Sequence, residues 1–322
     1  MFPPKNELTI CFAHAAYEMK AIFDAMGTGI RTFQVRDRDA FEHRAAEADV
    51  IVVSGLWHNG IIPLATRLGF LQTISSGTDQ FDKAQLAERG IRMASAAGVN
   101  ARAVSEHAMS LILALARRLP EARDNQAARV WRGMIGDATQ REDELTGKTL
   151  LIIGLGRIGG RLAHLAKAFD MNVIGFRRDL GAGKGAADEV HTLADLHRFL
   201  PRADYVALTC PLTPDTREVI DAAALGLMPP SSYLVNVGRG GCVAEPALID
   251  ALAQHRIAGA GLDCTADEPL PPDSPLWAMP HVFITPHTGG ETRTYEVSVI
   301  KILLENLNRL WRGETTLLNQ VV

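Results

Sequence analysis

Three short stretches late in the chain carry side chains suited to moving a proton beside an anion. VNVGRGG (235–241) contains Arg239, GLDCTADEPL (261–270) contains Asp263 and Glu268, and FITPHTGG (283–290) contains His287. Histidine titrates near neutrality and so can deliver or remove a hydroxyl proton at physiological pH. A carboxylate beside it favours the imidazolium and fixes the ring. An arginine fork binds a carboxylate through two parallel hydrogen bonds and polarises an adjacent carbonyl. Arg, acid and His together are the set that interconversion of a carbonyl and an alcohol requires. Taken singly, each has a plainer account: a surface histidine, or an arginine that caps a helix or pairs with a carboxylate.

A second chemical signal lies upstream. In LLIIGLGRIGGRLAHLAKAF (150–169), Gly154, Gly156 and Gly159 satisfy G-x-G-x-x-G. In a chain with 28 glycines the triple alone says little. Here a β-branched run precedes it and an amphipathic pattern follows, so each glycine gains a reason: a tight turn, backbone approach to a pyrophosphate, and close packing of helix on strand. The N–H groups that open the helix then favour a phosphate. The same fingerprint normally carries an Asp or Glu about 20 residues on, to bind the adenosine ribose. In VIGFRRDL (173–180) that place is taken by Arg177, with Arg178 next to it. A guanidinium cannot accept from a ribose hydroxyl, but it binds a 2′-phosphate and stacks on adenine. The pair therefore predicts NADP(H) in preference to NAD(H), with a solvated arginine pair on a strand-end loop as the plainer alternative.

Each of these residues follows an apolar run of strand length, which says what must hold them. TLLIIGLG (149–156), MNVIGF (171–176), YVALTC (205–210), YLVNVG (233–238), AGAGLD (258–263) and VFITP (282–286) alternate with helix-sized segments. That rhythm predicts a parallel sheet covered on both faces. In such sheets ligands sit at the carboxyl ends of the strands, so Arg239, Asp263, Glu268, His287 and the glycine turn converge on one crevice. The first hundred residues repeat the rhythm with LTICFA (8–13), AAYEMKAIFDAM (15–26), DVIVVSGL (49–56), FLQTISSG (70–77) and IRMASA (91–96). Between the two sets, residues 100–118 form an amphipathic pattern with Val104, Ala108, Leu111 and Leu115 on one face and Pro120 beyond its end. A polar stretch covers 121–147, and a final helical pattern covers 291–311.

Bulk properties agree with two cores. A length of 322 residues exceeds the ~250–300 at which a single core stops growing. A net charge of −4 and the lack of basic runs interleaved with aromatics give no attraction to nucleic acid. Cys11, Cys210, Cys242 and Cys264 lie far apart, form no CxxC or Cys/His metal set, and read as reduced, isolated thiols of a cytoplasmic protein. The strongest apolar run, AMSLILALA (108–116), is well short of the ~20 residues of a membrane span. The N-terminus, MFPPKNELTI, lacks a signal pattern.

With these motifs in order, the chain resembles the D-isomer-specific 2-hydroxyacid dehydrogenases. SSGTDQFD (75–82), NARAVSEHAMSLILALAR (100–117), GKTLLIIGLGRIG (147–159), TCPLTPDTREVI (209–220), LVNVGRGG (234–241), GLDCTADEPLP (261–271) and FITPHTGG (283–290) carry the resemblance over nearly the whole length. It implies an α/β fold of two doubly wound parallel-sheet domains. A Rossmann-type cofactor domain, 100–289, is inserted into a flavodoxin-like substrate domain, 1–99 plus 290–322, with substrate in the cleft and a homodimer joined through the cofactor domain. It implies His287 as acid and base, Glu268 as its partner, and Arg239 as the group that binds the 2-oxoacid. Asp263 would accept from the nicotinamide carboxamide, and the backbone at Arg157 and Ile158 would hold the pyrophosphate. Cys210, Pro211 and Thr216 would line the adenosine side, with Val104, Val237, Gly238 and Gly289 as further cofactor contacts. N–H groups around Ser76 and Gly77 would hold the substrate carboxylate. Members commonly have glycine or alanine where this chain has Ser75 and Ser76.

The reading is thus an NADP(H)- or NAD(H)-dependent oxidoreductase acting on a small D-2-hydroxyacid/2-oxoacid pair, with glyoxylate or hydroxypyruvate preferred and phosphoglycerate the alternative. Formate dehydrogenases resemble the same family but typically place Gln beside the histidine, which Glu268 argues against. Corepressors of the C-terminal-binding-protein type keep the fold and bind dinucleotide while recruiting peptides, and they form the non-enzymatic alternative.

Overall fold

The computed structural model describes residues 2–322 and divides into two compact units, Met1–Asn100 with Thr292–Val322, and Ala101–Glu291.

The first unit is built on five strands, β1 (Thr9–Ala13), β2 (Arg31–Val35), β3 (Val50–Val53), β4 (Phe70–Thr73) and β5 (Arg92–Ala94). Every pairing is parallel and the order is β2-β1-β3-β4-β5, the flavodoxin-like arrangement. The VIVV run of β3 is buried on both faces: Val50 and Val52 enter one core, Ile51 and Val53 the other. That two-step alternation is the pleat of a strand covered on both sides. The C-terminal helix Tyr295–Trp311 closes this unit, burying Val299, Ile300, Leu303 and Leu307 against the Val50/Val52 side.

The second unit holds β6 (Thr149–Ile153), β7 (Asn172–Phe176), β8 (Glu189–His191), β9 (Tyr205–Leu208), β10 (Tyr233–Asn236), β11 (Gly259–Leu262) and β12 (Val282–Ile284). All are parallel, in the order β12-β11-β10-β9-β6-β7-β8. This is the Rossmann strand order extended by a seventh strand, with its switch point between β6 and β9. Leu151 and Ile153 of β6 enter one core, and Leu150 and Ile152 the other. The helix Ala101–Ala116 covers the latter with Val104, Ala108, Leu111 and Leu115.

Three features depart from the sequence expectations. β2 and β8, absent from them, are the edge strands of their sheets, and their RTFQV and EVH sequences are only partly buried. The start of the polar stretch, 121–127, belongs to a second helix, Leu119–Ala127; Pro120, beyond the end of Ala101–Ala116 as expected, lies in its first turn, where its missing N–H costs nothing. Cys210 and Cys242 are not isolated: their sulfurs are 3.9 Å apart, although all four cysteines are free thiols and buried. The contact with Cys242 together with burial holds the Cys210 thiol well above the usual range, so it keeps its proton. Among the described residues no helix is long and apolar enough to cross a membrane.

Candidate active site

The parallel order puts β10, β11 and β12 side by side, so the loops that follow them lie together. Arg239 follows β10, Asp263 and Glu268 follow β11, and His287 follows β12. His287 Nδ1 and Glu268 Oε2 are 2.7 Å apart. That hydrogen bond holds the His287 imidazolium above the ordinary histidine value, against the downward push of burial. Burial pushes Glu268 up, but the His287 hydrogen bond, the His287 charge and the Thr265 N–H outweigh it and leave the carboxyl below its usual range. The positive charge of Arg239 acts on both groups, helping Glu268 ionise and opposing protonation of His287.

Local backbone packing sets this geometry. Asn236, buried at the end of β10, accepts from Gly238 N–H at 3.1 Å and donates to the Arg239 carbonyl at 2.9 Å, stapling the turn that carries the arginine. The turn then passes so close to the next loop that a Cβ on Gly240 would lie 1.8 Å from the Thr265 carbonyl oxygen. That loop is braced in turn by Thr265 Oγ1 on the Asp267 carbonyl at 2.7 Å and by Ala266 N–H on Glu245 at 2.8 Å. His287 itself sits at φ 55°, in the left-handed region that non-glycine residues rarely adopt.

Asp263 is only 3% exposed and is crowded with donors. Its carboxylate accepts from Thr285 Oγ1 at 2.7 Å, Thr288 N–H at 3.0 Å and Gly289 N–H at 3.0 Å. Burial would raise this carboxyl, yet the hydrogen bonds from His107, Thr285 and Gly289 and the nearby His107 ring bring it below its ordinary value. The Gly289 N–H is thus given to Asp263.

The glycine turn can be tested for its fit to a dinucleotide. A Cβ on Gly154 would meet the Cys210 backbone at 2.6 Å, and one on Gly159 would meet the Gly154 carbonyl at 2.4 Å. The protein's own packing therefore forces two of the three glycines. Around Gly156 nothing lies nearer than 4.0 Å, so the protein's own packing does not require a glycine there and the turn is open at this point. Gly156 caps the helix Arg157–Lys167 without a side-chain hydrogen bond, and the start of such a helix, at Arg157 and Ile158, is suited to an anion. The residues fit a pyrophosphate.

The other expected cofactor positions divide by geometry. Val104 and Val237 share one apolar cluster. A Cβ on Gly238 would lie 2.7 Å from the Cys210 carbonyl oxygen, and Thr216 Oγ1 is bonded to the Pro211 carbonyl at 2.7 Å. Cys210 contributes backbone, its sulfur being turned to Cys242. Arg177 follows β7 directly, its N–H bonded to the His191 carbonyl and its guanidinium to the Gly183 carbonyl at 3.1 Å, while Arg178 is exposed. Asp179 accepts from Gly181 N–H and so faces its own turn. In the first unit, the loop after β4 ties Ser75 to Thr73 and Gly77, and Ser76 Oγ to Asn100. Among the described residues no acceptor meets the Ser76 or Gly77 N–H.

The model of the D-isomer specific 2-hydroxyacid dehydrogenase NAD-binding domain matches residues 109–289, more than half of the chain. The chain belongs to the D-isomer-specific 2-hydroxyacid dehydrogenase family. As a family member it is an oxidoreductase with a pyridine-nucleotide domain. It is 35% identical over 289 residues to glyoxylate/hydroxypyruvate reductase B of Pectobacterium carotovorum, covering 88% of this chain and 89% of that one. It is 36% identical over 270 residues to D-3-phosphoglycerate dehydrogenase of Methanocaldococcus jannaschii, covering 83% of this chain but only 51% of that longer protein. The solved structure of a family protein from Aeromonas salmonicida superimposes with a TM-score of 0.86 at 28% identity, covering 98% and 99% of the two chains.

Asn236, Thr265, Thr285 and His107 shape the site but were absent from the sequence reading. His107 alone left a signal there, a polar residue three positions from Val104 on the apolar stripe of its helix.

Replacing Gly240 with Ala tests the backbone contact. The methyl cannot fit, the Arg239 and Glu268 loops separate, and kcat/KM falls by about 100-fold, the scale expected for misplacing a reacting group by about 1 Å. Steady-state kinetics beside circular dichroism would check it; a folded Gly240→Ala protein with wild-type activity would contradict the packing argument.

Proposed function

We propose that this dehydrogenase interconverts a small 2-oxoacid, glyoxylate or hydroxypyruvate, and its D-2-hydroxyacid, using NADP(H). The observation that carries the reading is the 2.7 Å His287–Glu268 pair beside Arg239 at three adjacent strand ends. A bound reduced nicotinamide supplies the hydride. Arg239 holds the substrate carboxylate and polarises its carbonyl. His287 directs Nδ1–H to Glu268, which leaves Nε2 to give a proton to the substrate oxygen in reduction and to take it back in oxidation. Among the described residues Asp263 Oδ2 accepts only the Gly289 N–H, so it keeps a lone pair for the nicotinamide carboxamide.

Small substrates are favoured by the likeness to a glyoxylate/hydroxypyruvate reductase along nearly the full length of both chains. The phosphoglycerate dehydrogenase relative makes phosphohydroxypyruvate the second reading. For the cofactor, Arg177 and Arg178 follow β7 where a ribose-binding acid would stand, and Asp179 is turned into its own loop. The exposed Trp131 and Met134, 98% and 103% accessible, lie between the Leu119–Ala127 helix and β6 and support a homodimer in which a second copy covers them.

Initial rates with glyoxylate, hydroxypyruvate and phosphohydroxypyruvate, each with NADPH and NADH, decide substrate and cofactor together. The expected result is turnover of the first two, with NADPH preferred. Arg177→Asp then lowers the NADPH-to-NADH ratio of kcat/KM by about 10- to 100-fold, the value of a lost hydrogen bond between charged groups. A ratio that does not move returns the arginines to ordinary surface.

The proton role has its own signature. His287 in the folded protein titrates above the ordinary histidine value, so the imidazolium is kept to higher pH than in a free histidine and is lost as pH rises through that raised value. For reduction, kcat/KM is therefore flat on the acid side and declines on the alkaline side. Glu268→Gln removes the charge that holds the proton, and the decline begins at lower pH. A pH–rate profile whose limb stays in place would assign the proton to another group.

Sedimentation analysis reads the assembly: the wild type sediments as a dimer and Trp131→Glu shifts it toward monomer. A monomeric wild type would dismiss the homodimer.

A further inference from the structure

His107 lies on the same helical face as Val104, Ala108 and Leu111, where the helix Ala101–Ala116 packs over the ends of the sheet. Its ring is about one-fifth exposed. Nε2 is 2.9 Å from Thr285 Oγ1 and 3.3 Å from Asp263 Oδ1. The Thr285 hydroxyl has one proton, and it points to Asp263 Oδ1 at 2.7 Å. The hydroxyl can then only accept from His107, so the imidazole carries its proton on Nε2. His107 Nε2–H thus faces Thr285 Oγ1 and, at the longer 3.3 Å, Asp263 Oδ1, while Thr285 O–H donates to Asp263.

The same ring packs on the loop backbone. A Cβ on Gly289 would lie 2.9 Å from His107 Cδ2 and 2.8 Å from Asp263 Oδ2. Imidazole, carboxylate and the 285–289 segment therefore confine one another. Asp263 in turn receives the N–H groups of Thr288 and Gly289, the two residues after His287. A chain of directed hydrogen bonds thus runs from the helix to the backbone beside His287.

We infer that His107 is a positioning residue: by donating to Thr285 it orients the Asp263 carboxylate, and through it the loop that presents His287. The inference rests on the reading of His287 as the proton-transfer group, but its structural half stands apart from the identity of the substrate. His107 touches neither a reacting atom nor His287 itself in this network; its effect is transmitted by the carboxylate.

Two replacements separate this role from helix packing. His107→Leu keeps bulk and loses the donor, whereas His107→Gln keeps an N–H of similar reach. Amide hydrogen exchange at Thr288 and Gly289 reads the clamp directly and needs no turnover. The expected result is exchange about tenfold or more faster in His107→Leu and close to wild type in His107→Gln. On the best 2-oxoacid, kcat falls by about 10- to 100-fold in His107→Leu with little change in the 2-oxoacid KM, and the Gln variant recovers most of it. Thr285→Val breaks the same chain at its next link, so the double variant His107→Leu/Thr285→Val is no slower than the worse single variant. Unchanged exchange in His107→Leu overturns the inference whatever the activity. So do strictly additive losses in the double variant, or a folded Gln variant as impaired as Leu. If the wild type reduces no 2-oxoacid, the proposed function fails while the exchange measurement still decides His107.

Discussion

A buried carboxylate is tolerable only when its oxygens are paired, and Asp263 meets that condition almost entirely with donors from one short segment, 285–289. The rest of the site depends on this constraint. Removing an anion from water is costly, and the cost falls if the backbone of the histidine loop wraps around it. The charge therefore organises the loop, and the loop's N–H groups keep the charge ionised. Satisfying one group fixes the other, so Asp263 and the loop that carries His287 are parts of one packing unit.

A different economy governs the phosphate end. Gly154 and Gly159 are required by contacts inside the protein, with Cys210 and with the turn's own carbonyl. Only Gly156 faces open space, at the point where a helix begins without a capping side chain. The N–H groups that open a helix are ordinarily capped by a side chain or wetted. Here the cap position is a glycine, which opens the helix start to an outside acceptor. Two strands further along the sheet edge the polarity changes kind: Arg239 brings a full positive charge, which favours the ionised Glu268 and would be offset by a carboxylate substrate.

What the sequence disclosed and what it hid follow from burial. Interior strands such as β3, β6 and β9 are covered on both faces, and their unbroken apolar runs mark them at once. β2 and β8 sit at sheet edges, where one face or most of the strand meets water, and RTFQV and EVH carry no such mark. The convergence of Arg239, Glu268 and His287 was legible because parallel strands send all their carboxyl ends to one edge. The pairing partner of each atom was not. That Asn236 staples the arginine turn, that Glu245 braces the Glu268 loop, and that Cys210 and Cys242 face each other depend on how loops cross in space, and spacing along the chain does not encode it.

His287 adopts a left-handed backbone that costs an L-residue about 1–2 kcal/mol. A glycine would relieve the cost and remove the imidazole. The conformation persists because its surroundings determine it several times over: His287 N–H bonds the Thr285 carbonyl, the next two N–H groups bond Asp263, and the ring bonds Glu268. Hydrogen bonds of net worth about 0.5–1.5 kcal/mol each, taken together, exceed the strain. The two glycines that follow are consistent with this account, since Gly289 has no room for a side chain between Asp263 and His107. Were the left-handed residue placed two positions later, at Gly289, the backbone would be relaxed but the imidazole would no longer face Glu268. The strain thus sits at the residue whose side chain pairs with Glu268, and the residues around it are those that hold it there.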